Sequence, residues 1–175
     1  MTPAERRIEG LAAAHGARVL AYLTRRTTPH EDAADLYQHV LTTTWRKIHT
    51  VPDGDEEALC WMLSVARREL ANHRRGTTRR LAATDRLRDA IADRAAEPRA
   101  PDDRVHAALD NLSAHDRELI TLTYWDELTA EQVGRVLGLS ATATRKRLQR
   151  ARARLADRLT DRDHETRDEQ LASAP

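Results

Sequence analysis

The stretch Thr129-Ala130-Glu131-Gln132-Val133-Gly134-Arg135-Val136-Leu137-Gly138-Leu139-Ser140-Ala141-Thr142-Ala143-Thr144-Arg145-Lys146-Arg147-Leu148 reads as helix, tight turn, helix. Thr129 is placed to cap the first helix, Gly138 to end it in the left-handed conformation, and Ser140 to cap the second. Val133, Val136, Leu137, Leu139 and Leu148 supply the apolar positions through which the two helices share a core. Caps, glycine and apolar spacing all agree, which is the pattern of a helix-turn-helix.

The second helix sorts by side on a wheel of about 100° per residue. Thr144, Leu148, Ala151 and Leu155 form one stripe, whereas Thr142, Lys146, Gln149, Arg150 and Ala153 lie roughly opposite, with Arg145 at the edge. Residues 140–159 carry seven basic side chains, Arg145, Lys146, Arg147, Arg150, Arg152, Arg154 and Arg158, against one acid, Asp157. An ordinary solvated helix mixes signs at i,i+4, and this one does not. The pattern points to DNA, with Thr142, Arg145, Lys146, Gln149 and Arg150 as the expected contact residues: long arginines neutralise phosphates, while Lys146, Gln149 and Arg150 project where base edges lie in a major groove.

Upstream, residues 105–112 form a short amphipathic run, Ser113 caps a helix to about Trp125, and Asp126-Glu127-Leu128 makes the turn into Thr129. Residues 104–160 therefore read as one small helical domain, followed at 161–175 by a polar tail expected to fray. Before it, residues 76–103 hold six acidic and six basic residues, few large apolar ones, and Pro98 and Pro101. Residues 77–103 read as a flexible linker, with a transient helix over 81–96. Residues 1–76 show three helical runs. The first covers 4–24, with Ile8, Leu11, Ala12, Val19 and Leu23. The second starts at His30-Glu31-Asp32 and is expected to bury Leu36, Tyr37, Val40, Leu41, Trp45 and Ile48. After the turn Pro52-Asp53-Gly54, the third spans about 55–75 on Leu59, Met62, Leu63, Ala66 and Leu70. The fold class is all-α, two small helical domains joined by a flexible linker.

Composition agrees: 40% hydrophobic residues but 3% aromatic and no Phe means cores of Leu, Ala, Val and Ile, which favours helices. The net charge of +1 excludes wholesale coating of nucleic acid, so recognition rests on local clusters. Cys60 is the only cysteine and sits in an apolar run, so it reads as a buried hydrophobe and a reducing compartment fits. No signal-peptide stretch or membrane-span run is present, and the expected location is cytoplasmic, without membrane insertion. The eight histidines lack ligand spacing: His30-Glu31 has Ala34 where a metal site needs a second His. No phosphate loop or nucleophile elbow occurs, so neither an enzyme nor a bound cofactor is expected.

The N-terminal half decides what kind of DNA-binding protein this is. Glu31-Asp32-Ala33-Ala34-Asp35-Leu36-Tyr37-Gln38-His39-Val40, Thr44-Trp45-Arg46 and Trp61-Met62-Leu63-Ser64-Val65-Ala66-Arg67-Arg68-Glu69-Leu70-Ala71-Asn72-His73-Arg74-Arg75 resemble region two of the extracytoplasmic-function sigma factors of bacterial RNA polymerase. Leu112-Ser113-Ala114-His115-Asp116-Arg117-Glu118, Gly138-Leu139-Ser140 and Arg147-Leu148-Gln149-Arg150-Ala151-Arg152 resemble region four of the same family. The resemblance covers about residues 11–76 and 105–159. It implies a polymerase clamp contact through Asp35, Gln38, Trp45 and Arg46, and a third helix that places Arg67, Arg68, Asn72, His73, Arg74 and Arg75 near the −10 element. It implies that region four reads the −35 element and touches the polymerase flap. With few aromatics to trap unstacked bases, the loop at 51–57 is expected to help hold a flipped base. The implied partners are core RNA polymerase and promoter DNA, and the family admits an anti-sigma factor.

This chain departs from the family pattern at Tyr37 and His39, where the family prefers an aliphatic and an acidic residue, and at Ala141, Ala143 and Thr144, in place of the more usual Val, Thr and Val. Lys146 stands where a small polar residue is common, which shifts the expected base contact toward guanine. The alternative from another class is a stand-alone helix-turn-helix regulator whose N-terminal half senses or dimerises; it predicts DNA binding without polymerase.

Overall fold

The computed structural model describes residues 1–88 and 103–172, and among these every regular element is helical. The order is α1 (Pro3–Thr24), α2 (Asp32–Arg46), a short 3-10 turn (Ile48–Thr50), α3 (Asp55–Arg88), α4 (Asp103–Asp110), α5 (Ala114–Tyr124), α6 (Ala130–Leu137) and α7 (Ala141–Ala172). Contacts divide the chain into two compact units, the first built on α1 to α3, the second on α4, α5, α6 as far as Gly134, and α7.

In the first unit, Thr2 opens α1 with a reciprocal cap. Its hydroxyl accepts from the Glu5 amide at 3.2 Å while the Glu5 carboxylate accepts from the Thr2 amide at 2.7 Å, with Pro3 preset for the first turn. Val19, Tyr22 and Leu23 of α1, Leu36 and Val40 of α2, and Leu59, Met62, Leu63, Ala66 and Leu70 of α3 are buried. Each large side chain so removed from water contributes about 1.5–3 kcal/mol, enough for a core without Phe. Tyr37 lays its hydroxyl end beside Gly16 of α1. Ile48, Val51 and Ala58 form a second cluster under Ala4, Ile8, Leu11 and Trp61. Cys60 is buried as expected, and burial pushes its thiol above the ordinary value.

One expected core residue of α2 lies elsewhere. Trp45 is 41% exposed, and Thr44 takes the buried place. The stripe Leu36, Val40, Thr44 advances four residues at a time, so the next residue, Trp45, is turned about 100° outward. Thr44 meets the cost of burying a hydroxyl by donating to the Val40 carbonyl at 2.7 Å.

Two helices outrun the boundaries expected from sequence. α3 continues through Arg75 and Gly76 to Arg88, so the first part of the stretch expected to be a linker is helical. A single interior Gly costs about 1 kcal/mol, which the helix formers Arg79, Arg80, Leu81, Ala82 and Ala83 can absorb, and the first proline is Pro98. The rest of that stretch, residues 89–102, lies outside the described residues. α7 likewise runs on to Ala172 through the tail expected to fray, and no Gly or Pro occurs between Ala141 and Ala174 to stop it.

In the second unit, Ser113 caps α5 by accepting from the Asp116 amide at 3.1 Å, and Leu119, Ile120 and Leu122 are wholly buried. Arg117 binds the Leu109 and Asp110 carbonyls at 2.9 and 2.7 Å and so fixes α4 against α5. Thr129 and Gln132 form a second reciprocal cap: the Gln132 amide donates to the Thr129 hydroxyl at 3.3 Å and the Thr129 amide to the Gln132 side chain at 2.8 Å. Gly138 adopts φ +70°, and the Leu139 amide donates back to the Gly134 carbonyl at 2.8 Å. Ser140 caps α7 by accepting from the Ala143 amide at 3.2 Å.

Gly134 is the tightest point of this turn. A Cβ there would stand 2.7 Å from the Leu139 carbonyl oxygen and 3.0 Å from the Thr144 hydroxyl. Ala is the better helix former by about 1 kcal/mol, but the atom it meets is backbone and cannot swing aside. Gly134→Ala is therefore expected to lower the stability of the second unit by about 1–3 kcal/mol in urea unfolding followed by circular dichroism. An unchanged or higher midpoint would contradict this packing.

Candidate DNA-binding and polymerase-binding surfaces

The rotation of α7 is set by what it buries. Thr144, Leu148 and Ala151 are buried and Leu155 is half-buried, along the stripe that the wheel assigned to the core. Thr144 is completely enclosed, and its hydroxyl donates to the Ser140 carbonyl at 3.0 Å. The opposite arc then faces outward: Thr142, Arg145, Lys146, Gln149 and Arg150 are all exposed. Arg145, Lys146 and Arg150 have no ion-pair partner among the described residues, so their charge is available to a ligand.

Three other cations of α7 are engaged by α5. Arg147 donates toward His115 at 3.0 Å, Arg154 binds the buried Asp116 carboxylate, and Arg152 stacks 5.4 Å from the centre of the Tyr124 ring. The sequence marks this division only faintly, through His115 and Asp116 at one end of α5 and Tyr124 at the other. Tyr124 itself is 55% exposed.

On α3 the expected DNA-facing residues separate into sets. Arg68, Asn72 and Arg75 fall on one exposed flank: Arg68 donates to the Ser64 carbonyl and hydroxyl, each at 3.1 Å, and Arg75 donates to the Asn72 side chain. Arg67, half-buried, and Arg74 lie together on the adjoining flank. His73 points instead to α2, with Nε2 3.2 Å from the Asp32 carboxylate, and Arg74 donates to the Arg26 carbonyl at 3.0 Å. Those two side chains tie the connection between α1 and α2 to α3.

On α2, Asp35, Gln38, Trp45 and Arg46 are all exposed, and at about 100° per residue they fall within one arc that also contains Thr42. Thr42 was not among the expected residues; the spacing 35, 38, 42, 45 would have found it. Trp and Arg are the side chains most enriched at the centres of protein interfaces, and here both stand exposed on one arc.

Comparison with known proteins agrees with this geometry. The model of Sigma-70 region 2 matches residues 11–80 and that of Sigma-70, region 4 matches residues 102–155. The RNA polymerase sigma-E factor of Streptomyces coelicolor is 29% identical over 148 residues, covering 82% of this chain and 81% of that protein. The ECF RNA polymerase sigma factor SigL of Mycobacterium tuberculosis is 27% identical over 146 residues, covering 77% and 78%. Among solved structures, the sigma factor RpoE of Bartonella quintana, in complex with the anti-sigma factor NepR, superposes with a TM-score of 0.63 at 25% identity, over 87% of this chain and 95% of that one. CnrH in complex with the cytosolic domain of CnrY gives 0.62 at 25% identity, over 91% and 90%.

The chain belongs to the extracytoplasmic-function sigma factors.

As a sigma factor it binds core RNA polymerase and directs promoter-specific initiation, working by recognition and not by catalysis. Both matched regions fall on the two units in order, so the sigma factor has its α2 and α3 surfaces in region two and its α7 face in region four. Among its described residues, no helix is long and apolar enough to cross a membrane.

The division of the α7 cations gives a measurable contrast. On a promoter duplex bound by polymerase carrying this sigma factor, Arg145→Ala should flatten the log K against log salt slope by about 0.9. Arg154→Ala should leave that slope nearly unchanged and lower the melting temperature instead, because it strips Asp116 of its partner. Equal slope changes for Arg154 and Arg145 would contradict the division.

Proposed function

We propose that the exposed arc of α7 reads the −35 element, with Lys146, Gln149 and Arg150 at base edges and Thr142 and Arg145 on the backbone. Lys at this place donates to guanine O6 and N7, and Gln149 suits adenine. In region two, the α2 arc of Asp35, Gln38, Trp45 and Arg46 grips the polymerase clamp. Arg67, Arg68, Asn72 and Arg75 line the −10 duplex, with His73 and Arg74 holding the shape of that face as well as lying near DNA. The loop expected at 51–57 is shorter than its sequence suggests, since α3 begins at Asp55, and the turn at 51–54 with that first helical turn receives an unpaired base. The working division is residues 1–76 for clamp and −10 element, extended by the end of α3, a linker within 77–103, and residues 104–160 for the −35 element. The site of action is the cytoplasm, where polymerase and promoter meet. An anti-sigma factor is a further proposed partner, by analogy with the RpoE complex.

The observation that carries this reading is the pairing of one free basic arc on α7 with one free Trp-centred arc on α2, each in its own unit. The test is the fourfold variant Arg145→Ala, Lys146→Ala, Gln149→Ala, Arg150→Ala. Promoter choice in run-off transcription should vanish while affinity for core polymerase stays within about twofold, since the variant leaves the α2 contact intact. Loss of polymerase binding together with promoter choice would refute the division of labour.

A further inference from the structure

The connection between α2 and α3 is held by a residue that precedes the stretch matched by the region 2 family model. That match begins at residue 11, and Arg7 lies on the first turns of α1. Its guanidinium donates to the Ile48 carbonyl at 3.2 Å, the Val51 carbonyl at 2.6 Å and the Pro52 carbonyl at 3.2 Å, and binds the Asp53 carboxylate at 2.8 Å. The carbonyls of Val51 and Pro52 belong to neither flanking helix, so no helical ladder fixes them. Arg7 is half-buried while Asp53 is 98% exposed, so the anchor sits inside and the loop end it holds faces out. Two further ties run from α1 to the same connection. Ala4, Ile8 and Leu11 pack on Ile48, Val51 and Ala58, and His15 Nε2 stands 3.2 Å from the Asp55 carboxylate at the start of α3.

We propose that Arg7 is a positioning residue for promoter opening: it sets the backbone of the 51–55 segment so that the loop can receive the unpaired −10 base. The inference rests on the reading above, in which this loop holds that base. The physics is that of preorganisation. A loop free to sample many conformations must lose that freedom on capturing a base, whereas one guanidinium spanning three carbonyls and a carboxylate has removed it beforehand. The fork geometry matters, because Lys at the same place keeps the charge but cannot span the same set of acceptors.

The experiment uses the whole sigma factor reconstituted with core polymerase, with Arg7→Ala and Arg7→Lys compared with wild type. Four quantities are read: affinity for core polymerase, permanganate reactivity of unpaired thymines on a duplex promoter, base preference in a library randomised through the −10 element, and initiation on a template opened beforehand by mismatches. Arg7→Ala should lower opening of the duplex promoter roughly tenfold and flatten the preference at one −10 position, with affinity for polymerase unchanged. On a template opened beforehand by mismatches, its initiation should return to near the wild-type level. Arg7→Lys, which retains charge and packing, should show the same defect in milder form and keeps the test valid if Arg7→Ala does not fold. A variant at the exposed Glu56 in the first turn of α3, Glu56→Ala, which touches neither Arg7 nor His15, separates the positioning role from the loop reading. If it alters opening or base preference while both Arg7 variants behave as wild type, the positioning role is overturned and the loop reading stands. If neither it nor the Arg7 variants change either readout, the loop reading falls and takes the Arg7 proposal with it. A defect in Arg7→Ala that persists on the pre-opened template and extends to polymerase binding assigns Arg7 to domain stability alone, and also overturns the proposal.

Discussion

The burial of Thr144 against Gly134 is the contact on which the C-terminal surface depends. A helix as polar as α7 could lie on its neighbours in several rotations, since besides Thr144 the side chains it buries fully among the described residues are Leu148 and Ala151, with Leu155 and Leu159 half-buried. A β-branched side chain, fully enclosed and with its hydroxyl spent on the Ser140 carbonyl, fits only where α6 supplies a residue without a Cβ. That fit selects one rotation, and with it the set of cations that faces outward. Valine would fill the same space; threonine does so because the turn places an acceptor one helical turn back.

Charge is then used twice over on the same helix. Asp116, His115 and Tyr124 take three of the α7 cations for packing α7 on α5, and the outward arc keeps Arg145, Lys146 and Arg150 for a partner. A similar economy appears on α3, where His73 and Arg74 tie down the α1–α2 connection while Arg68, Asn72 and Arg75 stay on an exposed flank. In both units the exposed side chains proposed to contact DNA stand next to cations that hold the element in place, so neither a net charge of +1 nor a plain count of arginines predicts how charge is presented to a partner.

Much of this was legible in the sequence, for reasons that are local. The caps Ser113, Thr129 and Ser140, the left-handed Gly138 and the α7 stripe follow from spacing alone, and the structure reproduces each. What escaped was what depends on tertiary contact or on the absence of a stop signal. Gln132 forms the second half of a capping box, which its spacing from Thr129 announces but a reading of Thr129 alone as the cap misses. Trp45 reads both as core, because it is large and apolar, and as a contact residue by resemblance, and only the period, which puts Thr44 in the buried stripe, decides for the surface. α3 and α7 continue past their expected ends because charged, alanine-rich sequence without proline propagates helix as readily as it forms a linker. The role of Arg7 could not be read at all, since its four partners lie more than forty residues away along the chain.

The central claim is that the outward arc of α7 faces the −35 element while region two engages the polymerase. Cys60 is buried with its thiol pushed up, so Lys146→Cys provides a thiol that takes a DNA-cleaving chelate selectively. The measurement is the map of strand cuts made by polymerase carrying this labelled sigma factor on a cognate promoter. A single cluster of cuts at the −35 element is the predicted result. Cuts centred on the −10 element, or none on a promoter that the complex demonstrably occupies, would contradict the account.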